Sequence, residues 1–129
     1  MSLSTAADRD RKPAAIDENQ LGRMTLGDRR LEREVLELFV RQTTIMLDRI
    51  ADAEALAAAA AHTLKGSARG IGAWRMARAA ELLAQAAGVD GSEDDMDEAI
   101  AELRAASLEA SAAIGVRLTQ LLAELARDH

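Results

Sequence analysis

The run Ala61-His62-Thr63-Leu64-Lys65-Gly66-Ser67-Ala68-Arg69-Gly70-Ile71-Gly72 decides how the chain is read. It contains the only internal histidine; the other, His129, is the last residue. Lys65 follows His62 by three places and Gly66 by four, and on a helix residues at those spacings are neighbours on one face. The run is entered through five consecutive alanines, Ala57 to Ala61, the strongest helix formers available. It therefore predicts a helix, roughly Ala53 to Arg69 and capped by Asp52, with an imidazole, an ammonium and a bare backbone position side by side. The inward stripe of that helix is expected to be Leu56, Ala60, Leu64, Ser67 and Ile71. His62, Lys65 and Arg69 fall outside it, with Ala58, Ala59 and Gly66, so His62 is expected to face solvent.

Working back toward the N-terminus, Met1 to Ala15 shows no apolar periodicity and reads as a disordered leader. The folded domain is expected over residues 16–129. Asp17 can cap a short first helix, with Gln20 in capping-box position and Leu21 and Met24 on its apolar side. Asp28 can cap a second helix, roughly Arg29 to Ala51, whose core stripe is Leu36, Phe39, Val40, Thr43, Leu47 and Ile50. Leu31, Val35 and Leu38 form a second partial stripe. It reads either as contact with a second neighbouring helix or as an exposed docking patch.

Working forward, Gly70 and Gly72 mark a turn. The next helix, roughly Ala73 to Ala87, carries Met76, Ala79, Ala80, Leu83 and Ala87 as its stripe. Trp74 either fills the top of the core or stands half exposed. Gly88 to Gly91 is a loop, and Ser92 can cap a last helix running to Arg127. Its stripe is Met96, Ile100, Leu103, Ala110, Ile114, Leu118, Leu121 and Leu125, and Gly115 within it allows close packing or a slight bend. The fold class expected is all-α: an antiparallel up-down-up-down four-helix bundle with a short extra N-terminal helix.

Composition removes several function classes. Hydrophobic residues make up 49% of the 129 residues and aromatics only 2%, which favours helices packed through small side chains over strands. A formal net charge of -6 argues against general nucleic-acid binding, although Lys65, Arg69, Arg75 and Arg78 lie close together in sequence. No cysteine is present for a disulfide or a thiolate metal site, and two distant histidines offer almost nothing to zinc. Neither a membrane-spanning run nor the apolar core of a secretory signal is visible, so a cytoplasmic protein is expected.

The chemistry available at His62 is nucleophilic. A free imidazole is largely neutral at physiological pH and can take a phosphoryl group as a phosphoramidate. That bond is reactive enough to pass the group on to a carboxylate. Lys65 can steady the phosphoryl oxygens, and Arg69 can add a weaker field. Gly66 costs about 1 kcal/mol in a helix relative to Ala. It is either tolerated near the helix end or kept so that a partner can come close.

The longer pattern His62-Thr63-Leu64-Lys65-Gly66-Ser67-Ala68, with Gly72-Ala73 and Met76-Ala77 after it, strongly resembles the histidine-containing phosphotransfer (HPt) domain family. Leu26-Gly27-Asp28 and Leu36-x-x-Phe39 are similar to the family's first helices. The similarity covers roughly Ile16 to the end, and its specific part is Ala61–Ala87. The resemblance implies a phosphorelay carrier without turnover of its own. It would accept a phosphoryl group from an aspartate of one receiver domain and donate it to an aspartate of another, in hybrid histidine kinases and response regulators. It implies His62 as phosphoacceptor, Lys65 as phosphate-side cation and Gly66 as the close-approach residue. More loosely, it implies Leu21, Met24, Leu31, Val35 and Thr63 as the receiver-docking surface. No cofactor of its own is implied; Mg²⁺ is expected on the receiver. The stripes give no obvious cause for a dimer, so a monomer is expected. Some members carry a glutamine where this chain has Ala84, with Gln85 next to it, so Gln85 is a possible support for the phosphorylated histidine. The competing readings are a helical adaptor that docks on a receiver or kinase without transferring phosphate, and a small helical enzyme with paired carboxylates near His62.

Overall fold

The computed structural model describes residues 14–52, 54–88 and 93–127. Among these residues it contains five α-helices, one 3-10 turn and no strand. They are α1 (Glu18–Met24), α2 (Arg29–Asp52), the 3-10 turn (Glu54–Leu56), α3 (Ala57–Gly70), α4 (Trp74–Gly88) and α5 (Glu93–Arg127). α3 packs on α2 and α4, and α5 packs on α4 and returns to α2. The core is continuous from Leu36, Phe39 and Ile50 through Leu64 and Ile71 to Met76, Leu83, Leu103, Ile114 and Leu121.

The two N-terminal caps are made as expected. The Asp17 carboxylate accepts from the backbone N–H groups of Asn19 and Gln20, and that of Asp28 accepts from Arg30 and Leu31. The expected reciprocal arm of a capping box is absent at α1. Gln20 instead sends its side-chain amide to the carbonyl of Arg69, 3.4 Å away. Ser92 and the Val89–Gly91 part of the predicted loop lie outside the described residues, as do Ala53 and residues 1–13 of the expected leader.

Two readings around α3 are corrected. Asp52 is the last residue of α2, and α3 begins only at Ala57, where Leu56 occupies the cap position without a side-chain bond. The alanine run starts this helix by propensity alone. The later start also moves the buried stripe to Ala57, Ala60, Ala61, Leu64 and Ala68, followed by Ile71. Leu56 lies before the helix and is exposed, and Ser67 is only half buried. The α4 stripe holds at Met76, Ala79, Ala80 and Leu83, with Ala77 added and Ala87 half buried.

The connection from α3 to α4 is where α1 attaches. Gly72 has φ +77°, in the left-handed region that side chains disfavour. A Cβ there would stand 2.7 Å from atoms of Asp17, because the Asp17 N–H donates to the Gly72 carbonyl at 2.8 Å. Trp74 is half exposed, and its indole N–H donates to the other oxygen of the Asp17 carboxylate at 3.0 Å. That indole bond, with the two cap bonds, holds the Asp17 carboxyl below its usual range.

α5 is tied to α2 by an ion pair. Glu32 is 6% exposed, and both its oxygens accept from the Arg117 guanidinium, one of them at 3.1 Å. The bidentate fit keeps Arg117 charged beyond its ordinary range.

Two outcomes are expected. Gly72→Ala combines backbone strain with a clash against Asp17, and should lower unfolding stability by about 1–3 kcal/mol in denaturant titrations. Arg117→Met leaves the Glu32 carboxylate buried without its partner and should cost about 3–5 kcal/mol. The double change Glu32→Met with Arg117→Met should recover most of that loss.

Candidate functional site

The rotation of α3 about its axis is set by what it buries. With Ala60, Ala61, Leu64 and Ala68 facing the core, His62, Thr63, Gly66 and Arg69 are exposed and Lys65 is half buried. The sequence-predicted face is therefore assembled on one surface of one helix. Residues one turn apart place their Cβ atoms about 5–6 Å from each other, within reach of a phosphoryl group held between imidazole and ammonium.

Among the described residues, the side chains of His62, Lys65 and Arg69 have no hydrogen-bond or ion-pair partner. The Thr63 hydroxyl turns back onto the carbonyl of Ala59 at 3.1 Å and adds no donor to the face. The other two nearby cations are engaged elsewhere. Arg75 pairs with Glu109 on α5, and Arg78 with Glu81 at 3.4 Å. The four-cation cluster suggested by the sequence is thus divided, and the two positive charges on the His62 face are those left to meet an anion.

Gly66 and its neighbour Gly70 differ in what surrounds them. A Cβ added at Gly66 would meet nothing within 4 Å, whereas one at Gly70 would come to 3.2 Å from the thioether of Met24. A side chain at Gly70 would press on the flexible end of Met24, while one at Gly66 would meet no neighbour. α1 reaches the C-terminal end of this face through the same contacts, Met24 against Gly70 and Gln20 on the Arg69 carbonyl.

The residues assigned to docking divide. Leu21 is corrected: it is 1% exposed and sealed in the core, because α1 is amphipathic and turns that side toward the bundle. Met24 and Leu31 are exposed apolar side chains, Val35 is half buried and Thr63 is exposed. Leu26 and Leu38 are exposed as well. Leu26 adopts a positive φ of 56° just before Gly27, which turns its side chain out of the helix. The Leu-Gly-Asp punctuation was the signal available for it. Gln20 was missed as a contact to α3, since its spacing from Asp17 suggested a purely local cap.

Gln85 is exposed on α4 and forms no hydrogen bond to His62, while Ala84 is half buried against the core. Among the described residues no group of three or more His, Asp or Glu side chains is placed to hold a metal ion. A cleft of about 680 Å³ lies elsewhere, between the Asp17 region, Trp74, Val116 and Arg117. No described helix is long and apolar enough to cross a membrane.

Comparisons with known proteins add one finding. Neither the curated proteins nor the solved structures provide a match to this chain. The family model described as Hpt domain matches residues 34–128, a span that contains His62, Lys65 and Gly66 and leaves α1 and the first turn of α2 outside it. Since that span is most of the chain, the protein belongs to the Hpt domain family.

Proposed function

We propose that this protein is a phosphorelay carrier in which His62 receives a phosphoryl group from an aspartyl phosphate of one receiver domain and delivers it to an aspartate of another. Family membership makes histidine phosphotransfer in phosphorelay signalling the framework. The observation that carries the reading to His62 is its position: exposed on α3, with Lys65 and Gly66 one turn away and no side-chain partner among the described residues. A ring nitrogen of neutral His62 attacks phosphorus, the P–O bond to the donor carboxylate breaks, and a P–N bond forms. The return step reverses this on a second carboxylate. Lys65, with Arg69 farther along, offsets charge on the phosphoryl oxygens by on the order of 1 kcal/mol or less each, because the face is open to water.

Mg²⁺ and the groups that organise the transfer are assigned to the receiver, so this chain supplies a nucleophile on a surface rather than an active-site cavity. Gly66 is read as the place where the partner's active-site loop approaches, a role supported by the empty space around it. Met24 and Leu31 are the best placed of the suggested docking residues, and Leu21 is not among them. The packing of each helix on the next, with α5 closing back on α2, supports an antiparallel up-and-down bundle as the scaffold. A cytoplasmic setting follows from this function.

The direct test is incubation with phosphorylated receiver domains. Acid-labile label should appear on the wild type and be absent from His62→Gln, with the same helical content by circular dichroism. Equal labelling of the variant would remove His62 from the role. Binding that persists in His62→Ala, with undiminished regulation of a receiver or kinase, would favour a non-transferring adaptor. Gly66→Ala separates folding from transfer. It should raise stability by about 0.5–1 kcal/mol, as alanine does in an open helix position. It should also slow phosphotransfer at fixed receiver concentration.

A further inference from the structure

We infer that the outward face of α5 is a seam on which a second copy of this chain docks antiparallel, making the protein a reversible homodimer in place of the expected monomer. α5 carries two stripes. One is the buried stripe of Met96, Leu103, Ala110, Ile114 and Leu121. The other is formed by Ala101, Ala105, Leu108, Ala112, Gly115, Thr119, Leu122 and Ala126, every one of them exposed. Their spacing alternates four and three without a break, which is the spacing of a coiled-coil seam. None of the eight is charged, although a helix face meant for water ordinarily is. Leu108 is 73% exposed and Leu122 51%, with Val116 at 61% on the seam's edge.

The pattern fits a second copy for three reasons. In an antiparallel pair centred between Ala112 and Gly115, each seam position faces one from the other copy. Ala105 meets Leu122 of the second copy, Leu108 meets its Thr119, Ala112 meets its Gly115 and Ala101 meets its Ala126. Each leucine is set against a smaller side chain, and the smallest residues fall at the centre, where the helices come closest. Setting large against small across the seam lets the facing side chains interdigitate.

Charge selects the same direction. The N-terminal end of α5 holds Glu93, Asp94, Asp95, Asp97 and Glu98, while its last turn holds Arg127. A parallel pair would bring two acidic ends together. The antiparallel pair keeps the two acidic ends at opposite ends of the seam.

Area sets the strength. The seam is about 38 Å long at 1.5 Å per residue and about 10 Å wide, a footprint of roughly 400 Å² per copy. Its rim at Val116 and Arg104 brings the total near the roughly 1,000 Å² lower bound for a specific interface, so association in the micromolar range is expected. α3 and α5 each pack on α2 and α4, and the seam faces away from those helices, so pairing leaves the His62 faces outward.

Sedimentation velocity over a concentration series should show a monomer–dimer equilibrium. Leu108→Glu and, independently, Ala112→Lys should weaken it by about 100-fold or more, with helical content unchanged. Both should retain wild-type phosphate acceptance from a receiver. The chain has no cysteine, so cross-linking reports direction cleanly. A mixture of Ala105→Cys and Leu122→Cys chains should form the mixed disulfide, and neither chain should pair with itself. A wild type that stays monomeric at the highest concentration overturns the proposal, as does a dimer insensitive to both seam variants. Self-pairing of either single cysteine variant would overturn the antiparallel register. A monomeric wild type whose phosphate acceptance is lost in Leu108→Glu would assign the face to a different protein, the receiver.

Discussion

The presentation of His62 depends on how closely α3 can approach α4. Much of what these two packed helices bury is alanine: Ala57, Ala60, Ala61 and Ala68 on α3, Ala77, Ala79 and Ala80 on α4. Small side chains bring two helix backbones near, and at that distance neither can rotate without collision. Leu64 on α3, with Met76 and Leu83 on α4, supplies the apolar volume that alanine cannot. The orientation of the histidine is therefore a property of the opposite side of its helix. Among the described residues no bond holds the His62 side chain, and none is required for it to stand outward.

The same logic explains which parts of the fold were legible in the sequence. α2, α4 and α5 carry large apolar residues at helical spacing, so both their existence and their inner faces could be read directly. α3 is harder because an alanine run has no phase: any of its residues could point inward. Leu56 looked like the start of a stripe, yet it sits before the first helical turn. Leu64 anchored the phase well enough to place His62 outside. At α1 the problem was different. A seven-residue helix offers one or two apolar positions, and whether Leu21 or Met24 is inside depends on where the α3–α4 turn lies, which no local pattern states. The long-range bonds from Asp17 to Gly72 and Trp74 decide it.

The glycines illustrate how much of a site is hidden until space is measured. In the sequence, Gly66, Gly70 and Gly72 form one glycine-rich passage at a helix end. In the structure their reasons differ. Gly72 is required by a left-handed turn against Asp17, and Gly70 leaves room for Met24. A Cβ at Gly66 would enter open space. Only Gly72 is demanded by the backbone itself, and the one with no neighbour at its Cβ position stands one turn from the histidine. The second apolar stripe of α5 was likewise present in the sequence. Helical spacing sets it opposite the long core stripe, and the exposure of each residue shows that no described helix of this chain covers it.

Trp74 gives the molecule a property of practical use. It is the sole tryptophan, and it sits where α1 joins the rest of the fold, with its indole nitrogen on the Asp17 carboxylate. Its emission therefore carries information about one junction rather than about the whole chain. Detachment of the first helix would change both the solvation of the ring and the hydrogen bond on its nitrogen, while the helical core stayed intact. The protein thus contains an intrinsic optical label that distinguishes local opening at its N-terminal junction from global unfolding, with no dye or engineered residue needed.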